Sequence, residues 1–531
     1  MLNLLLFSCA RVGAPNGGTR DSLAPKFLGS NIDTTRLNVS RTVKELRLDF
    51  DEYVMLKDFN KNFNVSPPIK KIKKVIPSNL ANKYVLIQWE DTLQANTTYN
   101  FNFGNAIVDN NESNPLPYFN FAFSTGDKID DLFVSGTVKD AMTLIKENQT
   151  AKDNKMVVGL YKAGENLDYK QKPDYITKVD EENYFELNFL PKGEFVIIAF
   201  DDENQNSVYD AGKEKVSFLK EKITLDSTSV RGLKLKLYPS KKVVKYKESK
   251  AINGGLLMTF EGNPETVEVK SLSEDLKDFK VTHAKRSDSV NIWFDAEKSK
   301  LGGNISKQLK LSYFTPTISD TISVSYKAVK DEFKLSNEAG NLIAPENNFV
   351  INTSLPIENL NTSSWKLESD SIAQDFTAKV SEKNPFKILV NSSFKPTKKY
   401  VLTIPKETVS SYYSSNDKSF QFQFEIDKPE NYGSFTAVIK NKPTAKFWVE
   451  LTNEKGEILY SQFTNASEVS FKNLKPATYI ARIRVDNNGN GFWDEADFAQ
   501  NIAAEDVYIF EKEINVRPLW EIKEDWELTN H

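Results

Sequence analysis

The sequence predicts an all-β protein built as a tandem array of β-sandwich domains, and three observations carry that expectation. Apolar and polar residues alternate over short runs from Lys44 onward, the period of strands with one buried face. No run has the periodicity of a helix of three turns or more. Two long internal repeats divide the chain into similar units, which one continuous core would not produce. At 531 residues the chain is also too long for a single core and calls for about three to five domains.

The first 22 residues read as a signal remnant and tether. Leu2, Leu4, Leu5, Leu6 and Phe7 form a short apolar run ending in Ser8-Cys9, which looks like the end of a bacterial lipoprotein signal peptide. Leu6 and Ser8 fit that pattern; Phe7 is bulkier than it prefers, and the basic start of such a signal is missing. Cys9 is the only cysteine, so it has no internal disulfide partner, and lipidation supplies a reason for it. A disordered start with an incidental free thiol is the alternative. Gly13, Pro15, Gly17 and Gly18 then suit a flexible tether.

Alternating strands follow. Leu46, Leu48 and Phe50 share one face, as do Val85, Ile87 and Trp89, then Tyr99, Phe101 and Phe103, then Phe119, Phe121 and Phe123. Turn clusters such as Asp109-Asn110-Asn111 and Ser124-Thr125-Gly126 separate them. A shift of 301 positions (394 − 93) places Phe386, Ile388 and Val390 on the second set, Tyr400, Leu402 and Ile404 on the third, and Phe420, Phe422 and Phe424 on the fourth. Residues 23–127 and 331–428 are therefore read as two copies of one sandwich, A and A′. A second shift of 284 (486 − 202) matches Leu187, Leu190 and Phe195 to Phe471, Leu474 and Tyr479, giving copies B at 130–240 and B′ at 429–531. A fifth unit, C, occupies 241–330, with strands at Val290–Phe294 and Ile322–Tyr326.

Phe50-Asp51-Glu52-Tyr53-Val54, Leu93-x-x-Asn96-Thr97-Thr98-Tyr99 and Phe121-x-Phe123-Ser124-Thr125-Gly126 make unit A resemble the bacterial Ig-like domain of S-layer type. Val134-Ser135-Gly136-Thr137-Val138 and Leu190-Pro191-x-Gly193-x-Phe195 make unit B resemble the transthyretin-like fold of carboxypeptidase regulatory domains. Together with Cys9 and Asn488-Gly489-Asn490-Gly491-x-Trp493-Asp494, the whole chain resembles Ig-like lipoproteins of Bacteroidota. That resemblance implies a lipid-anchored protein of the outer membrane. Surface-exported relatives carry acidic residues just after the cysteine; here Ala10-Arg11-Val12 follow, which points toward the periplasmic face. These are fold signatures rather than chemical ones, and a sandwich fold does not specify a function.

Catalytic chemistry finds little support. The two histidines are His283 and His531, and neither lies near a nucleophile motif. His283 follows Phe279, Val281 and Thr282 in a strand-like run. Phosphate loops, C-x-x-C pairs and H-E-x-x-H helices are absent. With 73 acidic residues against 69 basic ones, the net charge of −4 argues against general nucleic-acid binding. No enzymatic activity is expected.

The one chemical candidate is a paired acidic loop. Asp486, Asn488 and Asn490 stand at positions 1, 3 and 5 of a calcium-loop pattern, Gly491 at 6, the Phe492 carbonyl at 7, Asp494 at 9 and Asp497 at 12. Hard oxygen donors at that spacing suit Ca²⁺, the one cofactor the sequence suggests. The first copy keeps Asp202, Asn204, Asn206 and Asp210, but Ser207 replaces the glycine and Lys213 stands at position 12. The alternative for both is a hairpin in which Asp and Asn side chains bond neighbouring amides. Two further features have plainer readings. Lys70-Lys71-Ile72-Lys73-Lys74 suits a solvated edge strand, and Trp520, Ile522, Trp526 and Leu528 suit a final strand closing the last core rather than a sugar platform.

The function expected is that of a structural or interaction scaffold docking onto outer-membrane or envelope proteins, including service as an accessory subunit of an assembly, secretion or uptake complex. A carbohydrate-binding or adhesive surface lipoprotein, with a glycan as partner, is the alternative.

Overall fold

The computed structural model describes residues 21–528 except 145–154, 165–167, 304, 330–331 and 339. Cys9 and His531 fall outside the described residues. Among these residues, helix is confined to the turn Phe59–Asn62 and two 3₁₀ turns, Pro429–Asn431 and Phe498–Gln500. No helix among the described residues is long and apolar enough to cross a membrane. The protein is all-β, as the alternation requires, and its strands form a tandem array of sandwiches. The chain makes two compact units that divide near Leu237, with residues 140–144 and 211–215 belonging to the second.

The first unit contains two cores. In the first sandwich, Phe27–Ser30, Glu45–Leu56, Asn82–Trp89 and Ile72–Ile76 form one sheet, with Ile107–Asp109 added to the far half of the long strand. The facing sheet is Asn64–Ser66, Thr98–Gly104 and Phe119–Ser124. Leu46, Leu48, Phe50, Val85, Ile87, Trp89, Tyr99, Phe101, Phe103, Phe121 and Phe123 fill the space between them, all buried. Each such side chain contributes about 1.5–3 kcal/mol by leaving water. The second sandwich packs Tyr175–Lys178, Met156–Lys162, Gly193–Asp201 and Val216–Phe218 against Tyr184–Leu190, Leu132–Asp140 and Val230–Leu237. Its core includes Val134, Leu187, Leu190, Phe195 and Ile197.

The second unit contains three clusters. Val290, Ile292 and Phe294 point into the core spanning Leu256 to Tyr326. Trp293, on the opposite face of the same strand, joins the next core, 6.1 Å from Phe386. Sandwich C therefore shares apolar surface with its successor. That next core holds Ile388, Val390, Tyr400, Leu402, Ile404 and Phe424, with Phe386, Phe420 and Phe422 partly buried at its margin. The last core runs from Phe435 to Leu528.

The repeats extend to local geometry. Tyr99 Oη accepts the Gln94 amide at 2.8 Å, and Tyr400 Oη accepts the Lys395 amide at 2.8 Å, both at the 301-residue shift. At the 284-residue shift, Phe189 and Asn473 are both left-handed (φ 60° and 52°). A buried phenol that ties down its own turn is a reason for each copy to keep the tyrosine.

Candidate functional site

The two acidic loops have the same hydrogen-bond pattern. Asp486 Oδ1 and Oδ2 accept the Asn490 and Gly491 amides at 3.0 Å each; Asp202 Oδ1 and Oδ2 accept those of Asn206 and Ser207, also at 3.0 Å. Asn488 Oδ1 accepts from Asn490, and Asn204 Oδ1 from Asn206. Asn490 Oδ1 accepts from Phe492, and Asn206 Oδ1 from Val208. The side-chain amides of Asn488 and Asn204 reach Asp494 and Asp210. The turn needs two left-handed residues: Gly489 and Gly491 (φ 72° and 82°) in one copy, Gln205 and Ser207 (φ 59° and 61°) in the other. Glycine adopts that conformation without the Cβ penalty, so the second loop is the less strained.

Measured against calcium, this donor set does not fit as it stands. The Asp486 oxygens are committed to amides, and Asn488 and Asn490 turn nitrogens, not oxygens, toward Asp494. Arg286 Nη1 lies 2.7 Å from Asp494 Oδ1, a fixed cation beside the carboxylate. Its guanidinium also lies over the Phe492 ring. Asp497 points elsewhere and caps the turn Phe498–Gln500 by accepting from Gln500. Among the described residues, no three His, Cys, Asp or Glu side chains converge to hold a metal ion. Burial alone would raise the Asp494 carboxyl; hydrogen bonds from Asn488, Arg286 and Asn490 outweigh it and hold its pKa below the usual value.

Two features of the last sandwich escaped sequence reasoning. Buried Glu505 closes the loop from outside, accepting the Asn487, Asn488 and Asp494 amides, while burial pushes its own pKa up. Glu450, 0% exposed, lies between Arg482 (Nη2–Oε2 2.7 Å) and Arg484 (Nη2–Oε1 2.5 Å) on the sheet face opposite the core. Trp448 stacks on Phe463 at 4.4 Å, and Arg484 lies over the rings of Trp448 and Trp493.

A wide recess lies within the first unit, where the sheet Asn64–Ser66, Thr98–Gly104, Phe119–Ser124 turns its outer face toward Tyr175–Lys178 and Tyr184–Leu190. It is a cleft of about 1020 Å³. Because Tyr99, Phe101 and Phe103 point into the core, Asn100 and Asn102 must point out, into the cleft. Strand register sets Asn64, Asn102 and Asn120 in one row across the three strands, with Ser66 and Asn100 in the next. Ser66 Oγ accepts the Ile176 amide at 3.2 Å, closing the floor between the two sandwiches. The side-chain carbonyls of Asn64 and Asn100 are buried and have no hydrogen-bond partner. Lys178 lines the same cleft, and burial holds its ammonium below the ordinary lysine range. The alternation Tyr99-Asn100-Phe101-Asn102-Phe103 is the sequence signal that marks this polar face.

The remaining sequence candidates take structural places. Strand Ile72–Ile76 is a sheet edge, with Lys71 paired to Glu90. Trp526 and Leu528 lie in the last core, Ile522 packs against it, and Trp520 is exposed beneath Arg517. His283 is partly buried, its Nε2 3.0 Å from the Ser287 carbonyl.

Residues 21–125 match the bacterial Ig-like domain family, so the chain carries such a domain at the first sandwich. No curated protein matches the chain. Among solved structures, it is similar to domains 1–6 of the surface layer protein SbsC, at 12% identity over 93% of this chain and 67% of that one, with a TM-score of 0.16. It is also similar to a Bacteroides ovatus protein, SGBP-B of a mixed-linkage glucan utilization locus, at 9% identity over 73% and 94% of the two chains (TM-score 0.19). The major pilin subunit BcpA of Bacillus cereus matches at 10% identity over 75% and 99% (TM-score 0.14). At these TM-scores none carries an argument about function.

Proposed function

We propose that this chain is a non-enzymatic cell-envelope protein, lipid-anchored through Cys9 at the outer membrane, that presents sandwich modules to envelope partners. The observation supporting it is the serial arrangement of five hydrophobic clusters among the described residues, each built mainly from its own stretch of strands, with Trp293 shared into the next. Modules that bury their own apolar faces can stand away from a membrane and leave loops and sheet faces for binding. The resemblance to Bacteroidota Ig-like lipoproteins adds the anchor and the location. Behind a complete signal peptide, Cys9→Ala is expected to move the protein from the membrane to the soluble fraction. Unchanged partitioning would refute the anchor. Pull-down of the native protein is expected to recover stoichiometric envelope proteins.

A second reading, a carbohydrate-binding or adhesive surface protein, is favoured by one specific observation. The first unit has a large amide-lined cleft whose inner carbonyls lack partners.

A further inference from the structure

We propose that the cleft between the first two sandwiches is a binding site for a neutral oligosaccharide; this rests on the adhesive reading and gives it a location. Asn64, Asn102 and Asn120 stand side by side across three strands, with Asn100 in the adjoining row. Each side-chain amide offers two donors and two acceptor lone pairs. Neighbours across a sheet sit about 4.5–5.5 Å apart. Such a grid matches a chain of sugar hydroxyls, each of which also donates and accepts.

The unmet carbonyls belong to asparagines that line the cleft. Asn100 is 8% exposed, lines the cleft, and keeps a carbonyl without a partner. Buried polar atoms are nearly always satisfied, so an orphan in a recess calls for an explanation. The fold does not require it: at the 301-residue repeat shift, Asn100, Asn102 and Asn120 fall on Val401, Thr403 and Gln421. The second copy pairs the corresponding two strands in the same register without the amide grid.

The rest of the cleft narrows the ligand class. Tyr118 and Tyr184, 69% and 39% exposed, line it, and the Tyr184 hydroxyl is held 2.6 Å from Glu186. Amphipathic rings fixed in this way offer flat surfaces for the apolar faces of sugar rings. Lys57, Lys61 and Lys178 share the lining with Asp58, Asp180, Glu181, Glu182 and Glu186, an acidic excess that disfavours an anionic polymer. A peptide would gain most of its affinity at a free strand edge, through main-chain bonds and alternate apolar pockets. This cleft presents a sheet face covered by amides. Its volume stands at the upper end of the roughly 300–1,000 Å³ usual for ligand clefts, enough for several sugar units rather than one.

The test uses the full chain and soluble hexasaccharides of β-1,3-glucan, β-1,4-glucan, xylan and mannan, read by calorimetry, with a neutral extended peptide as control. Binding of at least one hexasaccharide is expected. Asn100→Leu and Asn120→Ala are each expected to weaken it by about tenfold or more, with an unchanged or higher melting temperature for Asn100→Leu. Binding that neither variant weakens would overturn the cleft assignment while leaving the adhesive reading in place. Absence of binding to every hexasaccharide would overturn both, and binding of the peptide alone would overturn the ligand class.

Discussion

Removing the Glu450 carboxylate is expected to destabilise the last sandwich more than any comparable surface change. Glu450 is fully buried and its carboxylate is shared by Arg482 and Arg484, with Arg482 buried as well. Glu450→Ala leaves two guanidiniums facing each other with no counter-charge. Breaking a buried pair in this way costs about 3–5 kcal/mol, because the remaining charge stays desolvated. In a domain of about 100 residues each kcal/mol shifts the melting temperature by roughly 4–8 °C, so a loss of at least about 12 °C is expected. Scanning calorimetry of the full chain would show it as a downward shift of one transition. The converse experiment separates pairing from packing. In the first copy the corresponding sheet positions hold Gly159, Ile198 and Phe200, an apolar set on the same framework. The triple variant Glu450→Met, Arg482→Ile, Arg484→Leu is therefore expected to recover most of the loss, since well-packed apolar replacements of buried ion pairs are often neutral or stabilising. A Glu450→Ala shift equivalent to less than about 1 kcal/mol, the value of an exposed pair, would refute the reasoning.

Two further outcomes follow from the loops. Asp486→Ala strips the acceptor from two amides and is expected to cost about 1–3 kcal/mol, whereas millimolar calcium and EDTA should leave the melting curve of the intact protein unmoved; a calcium-dependent rise would show that the donors rearrange around an ion. Asp109, 2% exposed, accepts four amides from Asn111 to Asn114, and although burial would raise its pKa, those bonds outweigh it and hold the group low. Its folded pKa lies below the unfolded value, so its stabilisation is present above about pH 4 and is lost as pH falls through the folded value. Asp109→Ala should consequently flatten the acid limb of the stability curve, and an unchanged slope would show that Asp109 does not carry it.

Much of the fold was legible because strand periodicity is local. A side chain's face follows from its parity along the strand, so Val85, Ile87 and Trp89 declare a core before any partner strand is known. The 301- and 284-residue shifts worked for the same reason, since they compare parity with parity. Parity did not reveal that Trp293 leaves its own sandwich to join the next, because it names a face but not what covers that face. The spacing of Asp486, Asn488, Asn490 and Asp494 marked residues that the fold brings together, and their side chains bond neighbouring amides. Asp497 fitted the numbering but not the place.

What the sequence determined by itself was the class of structure, the repeated strand pattern and most of the residues that turn inward from each strand. All of these rest on patterns within a few residues of one another. Tertiary structure alone decided the chemistry at the candidate sites. Arg286 reaches Asp494 from 208 residues away, Glu505 seals a loop it follows, and the amide rows of the cleft become a recess only when the second sandwich packs opposite them. The physical reason is that burial and hydrogen-bond partners belong to the folded surface. An asparagine on the outer face of a strand is an ordinary solvated residue until another sheet takes the water away.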